Sequence, residues 1–124
     1  MARILVVEDD QSTREMIFKL LQYEGHEVIC AGNGWEALIC VENAPPQLII
    51  LDMMMPLVTG EKVLRQMRGD ARLKTTPVIV STANRTTQSL GEVTVDEKTF
   101  FVNKASGIEN MRRGIARALG QEPG

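Results

Sequence analysis

The chain lacks most of what metal-thiolate, membrane and nucleotide chemistries require. Its 124 residues include two cysteines, Cys30 and Cys40, and one histidine, His26. There is no CxxC pair and no histidine cluster, so both cysteines read as reduced, partly buried thiols. His26 stands in the Gly25-His26-Glu27 connection and reads as a loop residue, not a ligand. No apolar stretch approaches the ~18 residues of a membrane helix, and no signal-peptide pattern is present, so a soluble, cytoplasmic protein without membrane contact is expected. Neither sign of charge dominates: 14 basic residues oppose 16 acidic ones, a net charge of −2. Nothing in that balance points to direct nucleic-acid binding. A P-loop, a glycine-rich turn and the EF-hand spacing are all missing. So are linkers, low-complexity segments and internal repeats, and the length fits one domain.

What the chain does have is an alternation of apolar runs and helical periodicity. Residues 4–7, 28–31, 48–51, 77–82 and 100–102 read as strands. Leu48-Ile49-Ile50-Leu51 is apolar without interruption, as in a strand buried on both faces. Between the strands, Ser12 with Glu15 reads as a capping box that opens a helix carrying Ile17, Leu20 and Leu21, and Gly25 stops it. Asn33-Gly34 turns into a second helix with Ala37, Leu38 and Val41 on one face, and Pro45-Pro46 ends it. Val63, Leu64 and Met67 mark a third helix after a loop over residues 56–60. A second capping box, Ser106 to Glu109, precedes a last helix carrying Ile108, Met111, Ile115 and Leu119. Between the fourth and fifth strands, Gly91, Val93, Thr94 and Val95 oppose a long helix, so only a short or mobile one is expected near residues 87–92. The alternation predicts an α/β fold of (βα)5 type with a weak fourth helix. The expected architecture is a flavodoxin-like, doubly wound, five-stranded parallel sheet of order 2-1-3-4-5.

That topology has a chemical consequence. Its switch point lies between the first and third strands, which end in Glu8-Asp9-Asp10 and Asp52. Carboxylates delivered to one edge repel one another, and a hard divalent cation relieves the repulsion. A few carboxylates plus waters suit Mg2+ better than a Ca2+ cage.

With these residues placed, the chain resembles the receiver domain of two-component response regulators. Val6-Val7-Glu8-Asp9-Asp10 resembles the family's acidic motif, and Leu51-Asp52-Met53-Met54-Met55-Pro56 with Gly60 its phosphorylation-site motif. Ser81-Thr82-Ala83 resembles the hydroxyl motif on the fourth strand, and Lys104 the lysine after the fifth. The likeness spans residues 1–120, with 121–124 as a tail. It implies that Asp52 accepts a phosphoryl group from a sensor histidine kinase or phosphotransfer protein. It implies that Glu8, Asp9, Asp52 and the Met54 backbone carbonyl hold Mg2+. Thr82 and Lys104 would bind phosphoryl oxygens, and Asp10 would be a solvated neighbour, not a ligand. Thr82 and Phe101 would form the switch toward an unidentified downstream protein. Such a domain signals, and catalyses only its own phosphotransfer and dephosphorylation; Met54 and Asn84 stand where the family tunes that loss.

The chain departs from the family pattern at several positions. Ala105 replaces the usual proline after the lysine, and a retained cis bond is the expectation despite a cost of about 2.5–4 kcal/mol. Phe101 stands where a tyrosine is common and has no hydroxyl to bond, so the switch rests on burial. Residues 91–99 lack the small-acidic-acidic signature, which weighs against the dimerisation used by DNA-binding regulators and leaves a monomer or weak dimer. Arg112, Arg113 and Arg117 read as a solvated basic face. Trp35 and Ile39 lie off the inferred core face of their helix; cover by a neighbouring loop is expected, with a partner patch as the alternative. Two rival functions stay open. A receiver-like interaction module would need no phosphate, although every expected active-site residue is present. An aspartyl-nucleophile phosphatase of the haloacid dehalogenase type wants a second acid where Met54 stands.

Overall fold

The computed structural model describes residues 2–52, 60–71, 73–82, 98–103 and 108–120, with residues 60, 61, 82, 101, 103 and 108 described by their main chain. In chain order these form β1 (Arg3–Val7), α1 (Gln11–Tyr23), β2 (Glu27–Ala31), α2 (Gly34–Asn43) and β3 (Leu48–Asp52). They continue with α3 (Gly60–Arg68), β4 (Val78–Thr82), β5 (Thr99–Asn103) and α4 (Ile108–Ala118). All strand pairings are parallel, and the sheet order is β2-β1-β3-β4-β5. This is the expected flavodoxin-like order. The helix expected near residues 87–92, the Lys104–Ala105 peptide, the capping residues Ser106 and Gly107, and the tail 121–124 lie outside the described residues. No helix among the described residues is long and apolar enough to cross a membrane.

The unbroken apolar runs are explained by two cores. Leu5, Val7, Ile49, Leu51, Val78 and Val80 face one layer with Ala37 and Val41 of α2 and Val63, Leu64 and Met67 of α3. Ile4, Val6, Leu48, Ile50, Ile79 and Val102 face the other with Ile17 and Leu21 of α1 and Met111 and Ile115 of α4. Alternate residues of each central strand therefore enter opposite cores, so no polar position is left along the strand. Burial of each such side chain contributes roughly 1.5–3 kcal/mol. Polar groups can only emerge at the strand ends.

The start of α1 differs from expectation. Asp10, not Ser12, is its N-cap: the Asp10 carboxylate accepts the Thr13 N–H at 2.9 Å and the Thr13 hydroxyl at 2.6 Å. Aspartate caps well because its charge also meets the positive end of the helix dipole. Glu15 does not reach back; its Oε1 accepts from Gln11 Nε2 at 3.1 Å, one turn earlier. Gly25 ends the helix as expected. Its φ of 88° allows the His26 N–H to reach the Leu21 carbonyl and the Gly25 N–H to reach that of Gln22, both at 3.0 Å. His26 accepts the Ala2 N–H on Nδ1 at 3.1 Å, which fits its reading as a structural connection. At the next helix, Asn33 is the N-cap and accepts the Glu36 N–H at 2.9 Å.

Two contacts absent from the sequence reading set the far half of the sheet. A Cβ on Gly114 would lie 2.9 Å from Val102 Cγ2, so α4 sits on β5 at a distance only glycine permits. At the opposite edge from the strand C-termini, the Arg68 guanidinium gathers carbonyls. Nη1 donates to Thr76 at 2.7 Å and Lys74 at 3.2 Å, and Nη2 to the Lys98 carbonyl at 3.3 Å and Thr99 Oγ1 at 3.2 Å. Arg68 thereby ties the end of α3 to the turn before β4 and to the start of β5.

Two stability predictions follow from these contacts. Gly114→Ala gains helix propensity of about 0.5–1 kcal/mol but meets an overpacking cost of about 1–3 kcal/mol, so the net change is destabilising. Urea unfolding should show a lower midpoint that Val102→Ala partly restores in the double variant; additive losses would refute the close-approach account. Arg68→Met keeps the apolar stem and removes the charged donors, and should lower unfolding free energy by about 2–3 kcal/mol. Wild-type stability in that variant would show that the guanidinium is dispensable.

Candidate functional site

The register of the sheet brings the acidic strand ends to one level. Val7 pairs with Leu51 across β1 and β3, so Glu8 and Asp52 are the next residues out. Asp52 continues the side of β3 that carries Leu48 and Ile50, and Glu8 the side of β1 that carries Ile4 and Val6. Both carboxylates thus leave the sheet on the face covered by α1 and α4. Asp9, one step further along, is exposed. A carboxylate oxygen from each of Glu8, Asp9 and Asp52 lies within 4.8 Å of the others. Glu8 and Asp52 are each only 2% exposed.

This is a demanding electrostatic arrangement. Two charges are withdrawn from water and a third stands beside them, which favours a compensating cation. The donor set suits a hard one. Among the described residues all the converging atoms are carboxylate oxygens, and no cysteine or histidine joins them. The Asp52 carboxylate stands buried among these oxygens. The exposed flank at Asp9 leaves room for waters, which Mg2+ retains when proteins bind it.

The neighbouring strands extend the edge. Ser81 pairs with Asp52, and Thr82 at the end of β4 pairs with Asn103 at the end of β5. The main chain therefore carries Thr82 to the same edge, and Asn103 is the residue before Lys104. The Thr82 and Phe101 side chains, and Met54, Lys104 and Ala105 entirely, lie outside the described residues. Asp10 is not in the converging group, and its carboxylate is committed to capping α1. An aspartate followed by a threonine three residues later was the signal for that cap.

Other sequence candidates resolve as follows. Cys30 and Cys40 are free and half-buried. Burial pushes both thiols above their ordinary value; Arg14 partly offsets this at Cys30, and Glu36 adds to it at Cys40. Both thiols are thus protonated near neutrality, which removes them as nucleophiles. Trp35 is 58% and Ile39 60% exposed, so the expected covering contact is not formed among the described residues. Arg112 pairs with Glu109 at 2.8 Å and Glu24 at 3.4 Å, so part of the basic face of α4 is neutralised.

Comparison with known proteins agrees with this geometry. The response regulator receiver domain family matches residues 4–116. The response regulator MprA of Mycobacterium tuberculosis is 41% identical over 81 residues, which cover 65% of this chain and 34% of that protein. The chain thus spans about a third of the length of the curated relatives it matches. The chemotaxis protein CheY4 of Vibrio cholerae superimposes with a TM-score of 0.83 at 30% identity, covering 96% of this chain and 99% of that one. The receiver domain of the sensor histidine kinase PA1611 of Pseudomonas aeruginosa, solved with a magnesium ion in its active-site cleft, shares the fold. Its TM-score is 0.85 at 22% identity, over 96% of this chain and 98% of that one. With its sheet order, its acidic edge and a match over most of its length, the chain belongs to the receiver domain family of response regulators.

Proposed function

We propose that this chain is a phosphorelay receiver in which Asp52 is the phosphoacceptor. The observation that carries the reading is the convergence of Glu8, Asp9 and Asp52 at the switch point between β1 and β3. The partner is a sensor histidine kinase or phosphotransfer protein bearing a phosphohistidine. An Asp52 carboxylate oxygen attacks phosphorus, the P–N bond breaks as the O–P bond forms, and the protonated donor ring departs as neutral imidazole. Glu8, Asp9, Asp52 and the Met54 carbonyl would hold Mg2+, which would supply charge neutralisation between anionic nucleophile and anionic phosphoryl group. The rest of the task is positioning and electrostatic stabilisation. Buried on both sides, β3 fixes where Asp52 stands. Thr82, carried to the edge by β4, donates its hydroxyl to one phosphoryl oxygen, and Lys104 pairs with another.

The same residues carry the signal onward and end it. Thr82 moves toward the phosphoryl group, and Phe101 changes its burial in the space released. The readout is a protein-contact surface, not direct binding of nucleic acid by this domain. Water then hydrolyses the acyl phosphate at a rate set by Met54 and Asn84, so the domain carries out its own transfer and its own reset.

Two measurements test this reading. With Mg2+ and acetyl phosphate, mass spectrometry should show a gain of one phosphoryl group that Asp52→Asn abolishes. No gain, or a gain that survives Asp52→Asn, would overturn the assignment. Glu8→Gln and Asp9→Asn should each raise the Mg2+ concentration for half-maximal phosphorylation by about tenfold, equivalent to about 1.4 kcal/mol. An unchanged Mg2+ dependence in both variants would remove them from the cation site.

A further inference from the structure

Glu8 is held at both ends of its main chain. Its N–H donates to the Ala31 carbonyl at 3.1 Å, continuing the β1–β2 ladder one step beyond the strand. Its carbonyl accepts from Arg14 Nη1 at 2.9 Å. Arg14 lies on the first turn of α1, where its own N–H donates to the Asp10 carbonyl at 2.9 Å. The segment from Glu8 through Asp10 therefore leaves β1, enters the helix through the Asp10 cap, and is clasped back onto its starting point by Arg14. Asp9 sits inside that closed turn.

Gly32, just after β2, lies against the clasp. A Cβ there would lie 3.4 Å from Arg14 Nη1 and 4.0 Å from Glu36 Oε2. The Gly32 N–H is in turn fixed by Glu36 Oε2 at 3.1 Å. The guanidinium therefore fills the corner between α1, the end of β2 and the start of α2.

We propose that Arg14 is a positioning residue for the acidic cluster: by holding the Glu8 carbonyl it fixes how the Glu8 and Asp9 side chains leave β1, and so how they meet Asp52. The inference rests on the reading of these three residues as the Mg2+ site. Arg14 acts through the main chain, not as a ligand. Arginine suits the task because its guanidinium is always charged and makes short, charge-assisted bonds to a carbonyl. The geometry matters because Mg2+ demands near-octahedral oxygens at about 2.0–2.1 Å. A small rotation of the Glu8–Asp9 peptide swings both carboxylates off that geometry. Groups that orient ligands in this way typically change metal affinity by about 10–100-fold when removed.

The test uses the whole chain and two independent readouts. Isothermal titration with Mg2+ alone should show about tenfold weaker binding in Arg14→Met, with the thermal midpoint close to wild type. Arg14→Lys, which keeps charge and donor on a different reach, should recover part of the affinity. Gly32→Val keeps Arg14 but crowds it, and should weaken binding in the same direction. Without any metal, the Glu8 carbonyl 13C resonance should shift in Arg14→Met, because that oxygen loses its donor. If Arg14→Met fails to fold, Arg14→Lys and Gly32→Val carry the test. Mg2+ affinity equal to wild type in the folded variants, or an unmoved Glu8 resonance, overturns the role of Arg14 alone. Absence of Mg2+ binding by the unaltered chain instead overturns the cation reading, and this role of Arg14 with it.

Discussion

Like charges gathered at the edge of a low-dielectric core repel, and Glu8, Asp9 and Asp52 are gathered with oxygens within 4.8 Å of one another. Left to themselves, three carboxylates on flexible segments would separate into water. They do not separate because two of them extend from strands clamped between cores, and the third is enclosed by the turn into α1. The repulsion is what favours a compensating cation among them. Much of the surrounding structure is therefore legible as restraint. The β1–β3 register sets the level of Glu8 and Asp52, the Asp10 cap directs the chain away, and Arg14 closes the turn.

Burial on both faces explains why chemistry appears only at the ends of these strands. Every residue of β3 is buried, and the sole charged one is last. Moving Asp52 one position earlier would place it in the opposite core, because side chains alternate with a period of two. The strand length is thus also a specification of where Asp52 stands. The same logic applies at β4, where Ser81 and Thr82 follow three apolar residues. The sheet acts as a ruler, and the parallel order places the C-terminal ends of all its strands on one side.

Long-range periodicity was legible in the sequence because it is set by burial, which repeats over many residues. The sheet order, the two cores and the meeting of Glu8, Asp9 with Asp52 all follow from it. What was not legible depends on single contacts between distant segments. Ser12 with Glu15 satisfies the capping-box pattern, yet Asp10 wins because its carboxylate can take two donors of Thr13 and lies at the positive end of the helix. Gly114 looks like a weak spot in a helix until Val102 is placed opposite it. Arg68 carries no local signal, because nothing in its sequence neighbours reveals the main-chain and hydroxyl oxygens that converge on it. Trp35 and Ile39 fail in the other direction: local pattern placed them off the core face correctly, but cover by a neighbouring segment is a tertiary matter.

The two edges of the sheet are held by different forces, and that difference gives a direction to any change at the site. At the N-terminal edge, Arg68 bonds α3 to the starts of β4 and β5 through neutral carbonyls that no phosphoryl group would alter. At the other end of β5, in register with Ser81 and through it with Asp52, the Gly114–Val102 approach locks α4 onto the strand by shape. At the C-terminal edge, the balance is electrostatic and changes as soon as charge is added at Asp52. Close-packed cores deform little, so β4 and β5 cannot slide as units to accommodate that charge. The described ends of β4 and β5 are therefore held at the level of Asp52 by that packing. In this receiver the scaffold that sets the level of the buried Asp52 carboxylate is thus held in register from one edge of the sheet to the other.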